Sequence, residues 1–195
     1  TGSGNPNVGI TVYDSQNTSL QNVIVLDRIL GGGSPYANFA TAQHTSTGYF
    51  LGPNEWLGTI SLNSPDNGYT FEADYSSDFT HKLNNCISWN SSSSGINIGA
   101  SAANIEISGC TSGNAGFDGV RVAPEVSSQG IVRNVISHKA GRYGINSVVQ
   151  PSYADVFGSI SSAYNQQSCA VGCRAADPMA DGSIKYITRI ESGSS

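Results

Sequence analysis

Cysteines, histidines and one short basic run carry much of the reactive chemistry of this 195-residue chain. Cys169 and Cys173, in CAVGC, are near enough in sequence to close a small disulfide loop toward the C-terminal end. His138, Lys139, Arg142 and Tyr143 make a compact basic turn, HKAGRY, able to meet an acidic sugar, although a solvated turn is the simpler reading. Asp74, Asp78, His81 and Lys82 gather in the stretch YSSDFTHKL, again better read as a solvated loop than as an active site. There is no C-x-x-C pair or histidine cluster with metal-ligand spacing, so no cofactor is expected. Asn17-Thr-Ser and Asn90-Ser-Ser fit the glycosylation sequon, a match that a chain rich in Ser and Asn also produces by chance.

Whether these side chains meet depends on what positions them, and the chain answers with a repeat. Residues 83–122 contain one unit twice: Cys86 precedes Gly95 by nine positions, and Cys110 precedes Gly119 by nine. Gly9, Gly48, Gly68, Gly95, Gly119 and Gly144 extend the register, and the last four are spaced by 27, 24 and 25 residues, within the range of one solenoid turn. Asn22, Gly58, Asn85, Gly109, Asn134 and Gly158 hold a second repeated position. Only Asn and Gly occur in it, the residue types that tolerate a left-handed backbone, so one sharp bend per coil is expected there.

Strand alternation then assigns faces. Ile24, Ile60, Ile87, Thr111, Ile136 and Ile160 are expected inside, and the Val25, Ser61, Ser88, Ser112, Ser137 and Ser161 column outside. Further inward positions are Ile10 and Val12, Tyr49 and Leu51, Tyr69 and Phe71, Ile96 and Ile98, Val120 and Val122, and Ile145. Leu20, Trp56, Leu83, Ile107, Val132 and Val156 supply the middle strand. Cys86 and Cys110 share a column in adjacent coils, about one strand spacing or ~4.8 Å apart at Cα. That admits either a disulfide or a ladder of two free thiols.

The chain reads as one domain, 1–195, with an inserted loop at 30–47 and a C-terminal loop and final strand at 168–191. Charged residues are only 12% of the chain and its net charge is −5, which leaves no basic field for nucleic acid. No apolar run is long enough for a membrane span, so membrane insertion is not expected. With 23 Gly and a single Met the composition is poor in helix formers. Residue 1 opens no signal peptide, so a mature or trimmed form is expected. The cysteines fit an oxidising compartment, hence a secreted, extracellular or cell-surface location.

The combination of three short strands per coil, an Asn or Gly bend, and Gly-apolar-x-apolar opening the first strand resembles the pectate-lyase-like superfamily over about residues 8 to 166. The resemblance implies an all-β fold, a right-handed parallel β-helix of about six coils. It also implies that any catalysis sits on the outward face of the first strand and its flanking loops. Among those positions Glu72, Asp74 just beyond the strand, and Arg121 are the candidate catalytic groups. A hydrolase needs carboxylates paired across the scissile bond. A lyase needs a Ca²⁺ site of several carboxylates with a basic neighbour, and only in that case is Ca²⁺ implied.

Three functions follow as expectations. The first is a non-catalytic structural β-helix whose copies abut end to end, because open solenoid ends carry unpaired N–H and C=O groups. The second is a polysaccharide-binding or polysaccharide-degrading module. The third is an ordered-surface, ice-like binder using the Thr59/Ser61, Cys86/Ser88, Cys110/Ser112, Val135/Ser137 and Ser159/Ser161 column.

Overall fold

The computed structural model describes residues 8–13, 15, 17–26, 37–42, 53–71, 80–99, 104–123, 130–167, 169–178 and 184–187. They form a three-sided parallel β-helix, with no helix among the described residues. The first coil is β1 (Val8–Tyr13), β2 (Ser19–Gln21) and β3 (Ile24–Leu26), and the second β4 (Ala37–Ala42), β5 (Glu55–Leu57) and β6 (Ile60–Leu62). The third is β7 (Asn67–Phe71), β8 (Thr80–Asn84) and β9 (Ile87–Trp89), and the fourth β10 (Ile96–Ile98), β11 (Asn104–Ser108) and β12 (Thr111–Gly113). The fifth is β13 (Val120–Val122), β14 (Ile131–Arg133) and β15 (Ile136–His138), and the sixth β16 (Tyr143–Ser147), β17 (Pro151–Ser152) and β18 (Asp155–Phe157). A seventh coil adds β19 (Ser162–Gln166) and β20 (Arg174–Pro178), after which β21 (Ile184–Ile187) turns back antiparallel on β20. First strands stack into sheet A, second strands into sheet B and third strands into sheet C.

Two left-handed columns make the corners of each coil. Asn22, Gly58, Asn85, Gly109, Asn134, Tyr153 and Gly172 separate sheet B from sheet C, all with φ between 51° and 67°. Asn63, Asn90, Asn114, Lys139 and Gly158 do the same at the exit from sheet C, with φ between 51° and 66°. The bend of the sixth coil is therefore Tyr153, and Gly158, expected in the first column, belongs to the second. The register agrees, since Ile136 faces Asp155 and Ser137 faces Val156. Val156 is accordingly a third-strand residue, and Pro151 takes the middle-strand place beside Val132.

These corners overturn the expected faces of sheet C. One left-handed residue turns the chain and inverts the alternation, so the residue after each bend points inward: Thr59, Cys86, Cys110, Val135 and Ala154 are fully buried. The Ile column consequently faces out, with Ile24 60%, Ile136 41% and Ile87 37% exposed. Ser61, Ser88, Ser112 and Ser137 are inside. Size explains why serine suits that place. A methyl on Gly68, Gly95 or Gly119 would collide with the Oγ of Ser88, Ser112 or Ser137, so the two columns of small residues let sheets A and C approach.

Of the other expected inward residues, Val12, Tyr69, Phe71, Ile96, Ile98, Val120, Val122 and Ile145 are buried in sheet A and Trp56, Leu83, Ile107 and Val132 in sheet B, while Ile10 and Leu20 of the first coil are only partly buried; Phe39 joins the sheet A column. Fully buried apolar side chains are worth roughly 1.5–3 kcal/mol each, so this axial core can hold the solenoid. Aromatic rings pack its N-terminal half, Phe39 stacked on Tyr69 at 4.9 Å and Trp56 edge-on to both. The interval 30–47 is more than an inserted loop, because it contains β4, whose Phe39 sits between Ile10 and Tyr69 in register. Tyr49 and Leu51 lie outside the described residues. The 168–183 loop likewise contains β20, which extends sheet C beside β18.

Candidate functional site

The three outer faces differ in chemistry. Sheet B carries neighbouring opposite charges, Glu55 beside Lys82 and Lys82 beside Glu106 in register, with Arg133 reaching Glu106 at 3.1 Å. Sheet C is largely apolar over its first five coils, where Ile24, Leu26, Ile87, Trp89 and Ile136 are exposed, and ends in the Asp155–Arg174 ion pair. Trp89 lies across Gly113 and stacks on His138 at 6.0 Å. Thr59, Ser61, Cys86, Ser88, Cys110, Ser112, Val135 and Ser137, read as an ice-like outer column, are interior instead, for the parity reason above. Ser159 is also buried, while Ser161 is exposed and falls outside the column.

Sheet A presents a polar ladder. Register aligns Thr70, Asn97, Arg121, Asn146 and Asn165 on adjacent strands, one residue per coil pointing away from the axial core, with Asn97, Arg121 and Asn165 reaching solvent and Thr70 and Asn146 buried. Arg121 Nη1 donates to Asn97 Oδ1 at 2.8 Å, and Asn165 Nδ2 and Gln166 Nε2 donate to Asn146 Oδ1 at 3.1 and 3.0 Å. Asn146 Nδ2 in turn donates to Asp118 Oδ2 at 2.9 Å. Asp118 has no solvent exposure and is gripped at both oxygens by Arg142, Nε at 2.8 Å and Nη2 at 2.6 Å. That fork, the geometry in which arginine binds carboxylates most strongly, raises the Arg142 pKa above its usual value. The Arg142 guanidinium also lies over the rings of Phe117, at 5.8 Å, and Tyr143, at 5.3 Å.

The fold thus places Arg142 and Tyr143 at the entry to sheet A, four and three residues before Asn146, the register partner of Arg121, and splits the rest of the basic turn away from them. His138 stands on sheet C beside Trp89, and Lys139 is an exposed corner residue. Glu72 and Asp74 lie outside the described residues, as does Asp78. His81 is buried next to Phe71, its Nδ1 accepting from the Asn54 N–H at 3.3 Å, while Lys82 is exposed on sheet B. Asp118 stands three residues before Arg121 in the chain, yet its partner is Arg142. Comparing coils would have found this, because aligning Gly119 on Gly144 sets Phe117 and Asp118 against Arg142 and Tyr143.

Asn17 and Asn90 are exposed, both in left-handed corners. The Asn90 amide is engaged in a side-chain ladder, donating to Asn63 Oδ1 and accepting from Asn114 Nδ2, each at 2.8 Å. A glycan on Asn90 would take the nitrogen that makes the first of these bonds. Cys169 and Cys173 are disulfide-bonded, and Cys86 and Cys110 are free, buried thiols. Among the described residues no group of three or more His, Cys, Asp or Glu is placed to hold a metal ion.

Replacing Arg142 by Ala is expected to cost about 2–4 kcal/mol, since it strands a buried carboxylate. Asp118→Asn, which leaves a half-exposed arginine free to meet water, should cost less. Urea melts of the two variants check this order, and equal losses would place the clamp's importance elsewhere.

No protein-family model, curated protein or solved structure matches this chain.

Proposed function

We propose that this chain is a polysaccharide-binding parallel β-helix module of the pectate-lyase-like kind, which receives an acidic glycan along the outer face of sheet A. The supporting observation is the situation of Arg121. Arg133, Arg142 and Arg174 each reach a carboxylate. Among the described residues Arg121 forms no ion pair, and its guanidinium rests on the neutral amide of Asn97. A half-buried cation in the middle of an amide ladder is suited to an acidic group on a chain whose hydroxyls meet Asn97, Asn165 and Gln166. Phe117, 53% exposed, and Tyr143 stand at the edge of that face, where an aromatic ring can stack on a sugar. The net charge of −5 supplies no long-range attraction for such a ligand, so recognition is local and salt weakens it.

Affinity electrophoresis through gels containing a soluble polyuronate, with a neutral glucan for comparison, tests this. The protein should be retarded by the polyuronate, and Arg121→Ala should weaken binding by roughly 10–100-fold, the value of one charge-assisted hydrogen bond. Arg133→Ala, on sheet B, should leave it unchanged. Equal mobility of the wild-type protein and Arg121→Ala in polyuronate would sink the reading.

End-to-end assembly has a separate observation in its favour. Ile10, Leu20, Val23 and Val25 of the first coil are only partly buried, whereas their equivalents in the central coils are closed off. A further coil, from this chain's neighbour in an assembly, would cover them. Sedimentation velocity over a wide concentration range decides it, and a single monomeric species throughout would count against assembly. The Cys169–Cys173 bond supports an extracellular or cell-surface location for either role.

A further inference from the structure

Cys86 and Cys110 each follow a left-handed corner, Asn85 and Gly109, and so point inward in consecutive coils. Thr111 N–H donates to the Cys86 carbonyl at 2.9 Å, and Thr111 faces Ile87 in register, which stacks one cysteine on the other. Strand spacing puts their Cα atoms ~4.8 Å apart, inside the disulfide range. The proximity of the two sulfurs pulls Cys86 down to about 7 and, with burial, pushes Cys110 up. Thr59 Oγ1 donates to Cys86 Sγ at 3.2 Å and lies 3.0 Å from the Tyr69 hydroxyl, so hydroxyls support the sulfur on its other side. Both thiols also donate to backbone carbonyls, Cys86 Sγ to Trp56 at 3.2 Å and Cys110 Sγ to Leu83 at 3.3 Å, and Cys86, the more readily ionised of the stacked pair, is the attacking group.

We propose that Cys86 and Cys110 are a redox-active dithiol that a low-molecular-weight disulfide oxidises to a second intrachain disulfide, tying the third coil to the fourth. The Cys86 thiolate attacks one sulfur of the oxidant, whose S–S bond breaks and releases one thiolate. Cys110 gives its proton to that leaving thiolate and attacks the Cys86 sulfur of the mixed disulfide. The second thiolate leaves and takes up the proton that Cys86 had lost. Two protein thiols are oxidised by two electrons, and the oxidant becomes two thiols. Because neither sulfur is exposed, reaction in the folded protein proceeds through opening of the coil, and mild denaturant accelerates it.

The test uses the wild-type protein and the double variant Cys169→Ser/Cys173→Ser, in which any intrachain bond must be the new one. Each is incubated with dithiothreitol or with oxidised glutathione, then denatured, alkylated and weighed by mass spectrometry. The reduced double variant should take two labels. The oxidised form should take none, give a cross-linked peptide pair containing Cys86 and Cys110, and melt roughly 5–10 °C higher. Two labels after oxidation, a lasting glutathione adduct, or linkage only between molecules would overturn the proposal. If the double variant fails to fold, the same peptide map of the oxidised wild-type protein decides the matter.

Discussion

Val135→Asp is expected to unfold the solenoid, whereas the same change one residue later, Ile136→Asp, leaves it folded. Val135 is fully buried in the axial core, and Ile136 is 41% exposed on sheet C. An aspartate at 135 has neither water nor a cation within the core. The cost of such a burial, about 5 kcal/mol or more, reaches the whole stability of many domains. At 136 the new carboxylate stands in water beside Asp155, which already has Arg174 as a partner. Repulsion between neighbours on a sheet then costs only about 1 kcal/mol or less. Circular dichroism melts of the two variants read the difference directly. A folded Val135→Asp together with an unfolded Ile136→Asp would reverse the inferred parity of the corner at Asn134.

Gly119→Ala is expected to be nearly as damaging, although it adds a single methyl group. The new carbon would stand 2.6 Å from the carbonyl oxygen of Gly144 and still closer to Ser137 Oγ. A serine side chain can be trimmed, but the carbonyl belongs to the next coil and moves only if the stack loosens. The expected loss is about 3 kcal/mol, at the upper end for overpacking. Ser137→Gly in the same chain should recover only part of it, since the backbone contact remains. Full recovery in chemical denaturation would show that the serine alone sets the distance between sheets A and C.

The surroundings of Arg121 were half legible in the chain. Its outward place on the first strand follows from Gly119 and the alternation of Val120 and Val122, because no corner intervenes between glycine and strand. That it pairs with no carboxylate among the described residues did not follow. Asp118 is the nearest acid in sequence, and only the stacking of coils shows that Arg142 has claimed it. The basic turn 138–143 was read as one unit because its residues are contiguous. The left-handed corner at Lys139 separates His138 on sheet C from Tyr143 at the start of a sheet A strand.

By itself the amino-acid sequence determined the architecture. Recurrent Asn and Gly, with apolar residues at matched offsets, demand a coil that bends sharply at the same place each time, and stacking of such coils is the way to bury their apolar columns. It also determined where the bends fall in the regular middle of the chain, from Asn22 to Asn134, since few other residue types tolerate φ near +55°. The tertiary structure decided which side of sheet C is indoors. Parity counted straight through Asn85 puts Ile87 inside, and the left-handed corner spends one residue on turning and puts Cys86 and Ser88 there instead. It also decided the ends. Tyr153 accepts a corner position that composition reserves for Asn or Gly, and β4 takes the sheet A place between β1 and β7 that the repeat had assigned to a strand beginning at Gly48. At both places backbone pairing to the next coil outweighs local preference, and that pairing exists only once the neighbouring coil has folded.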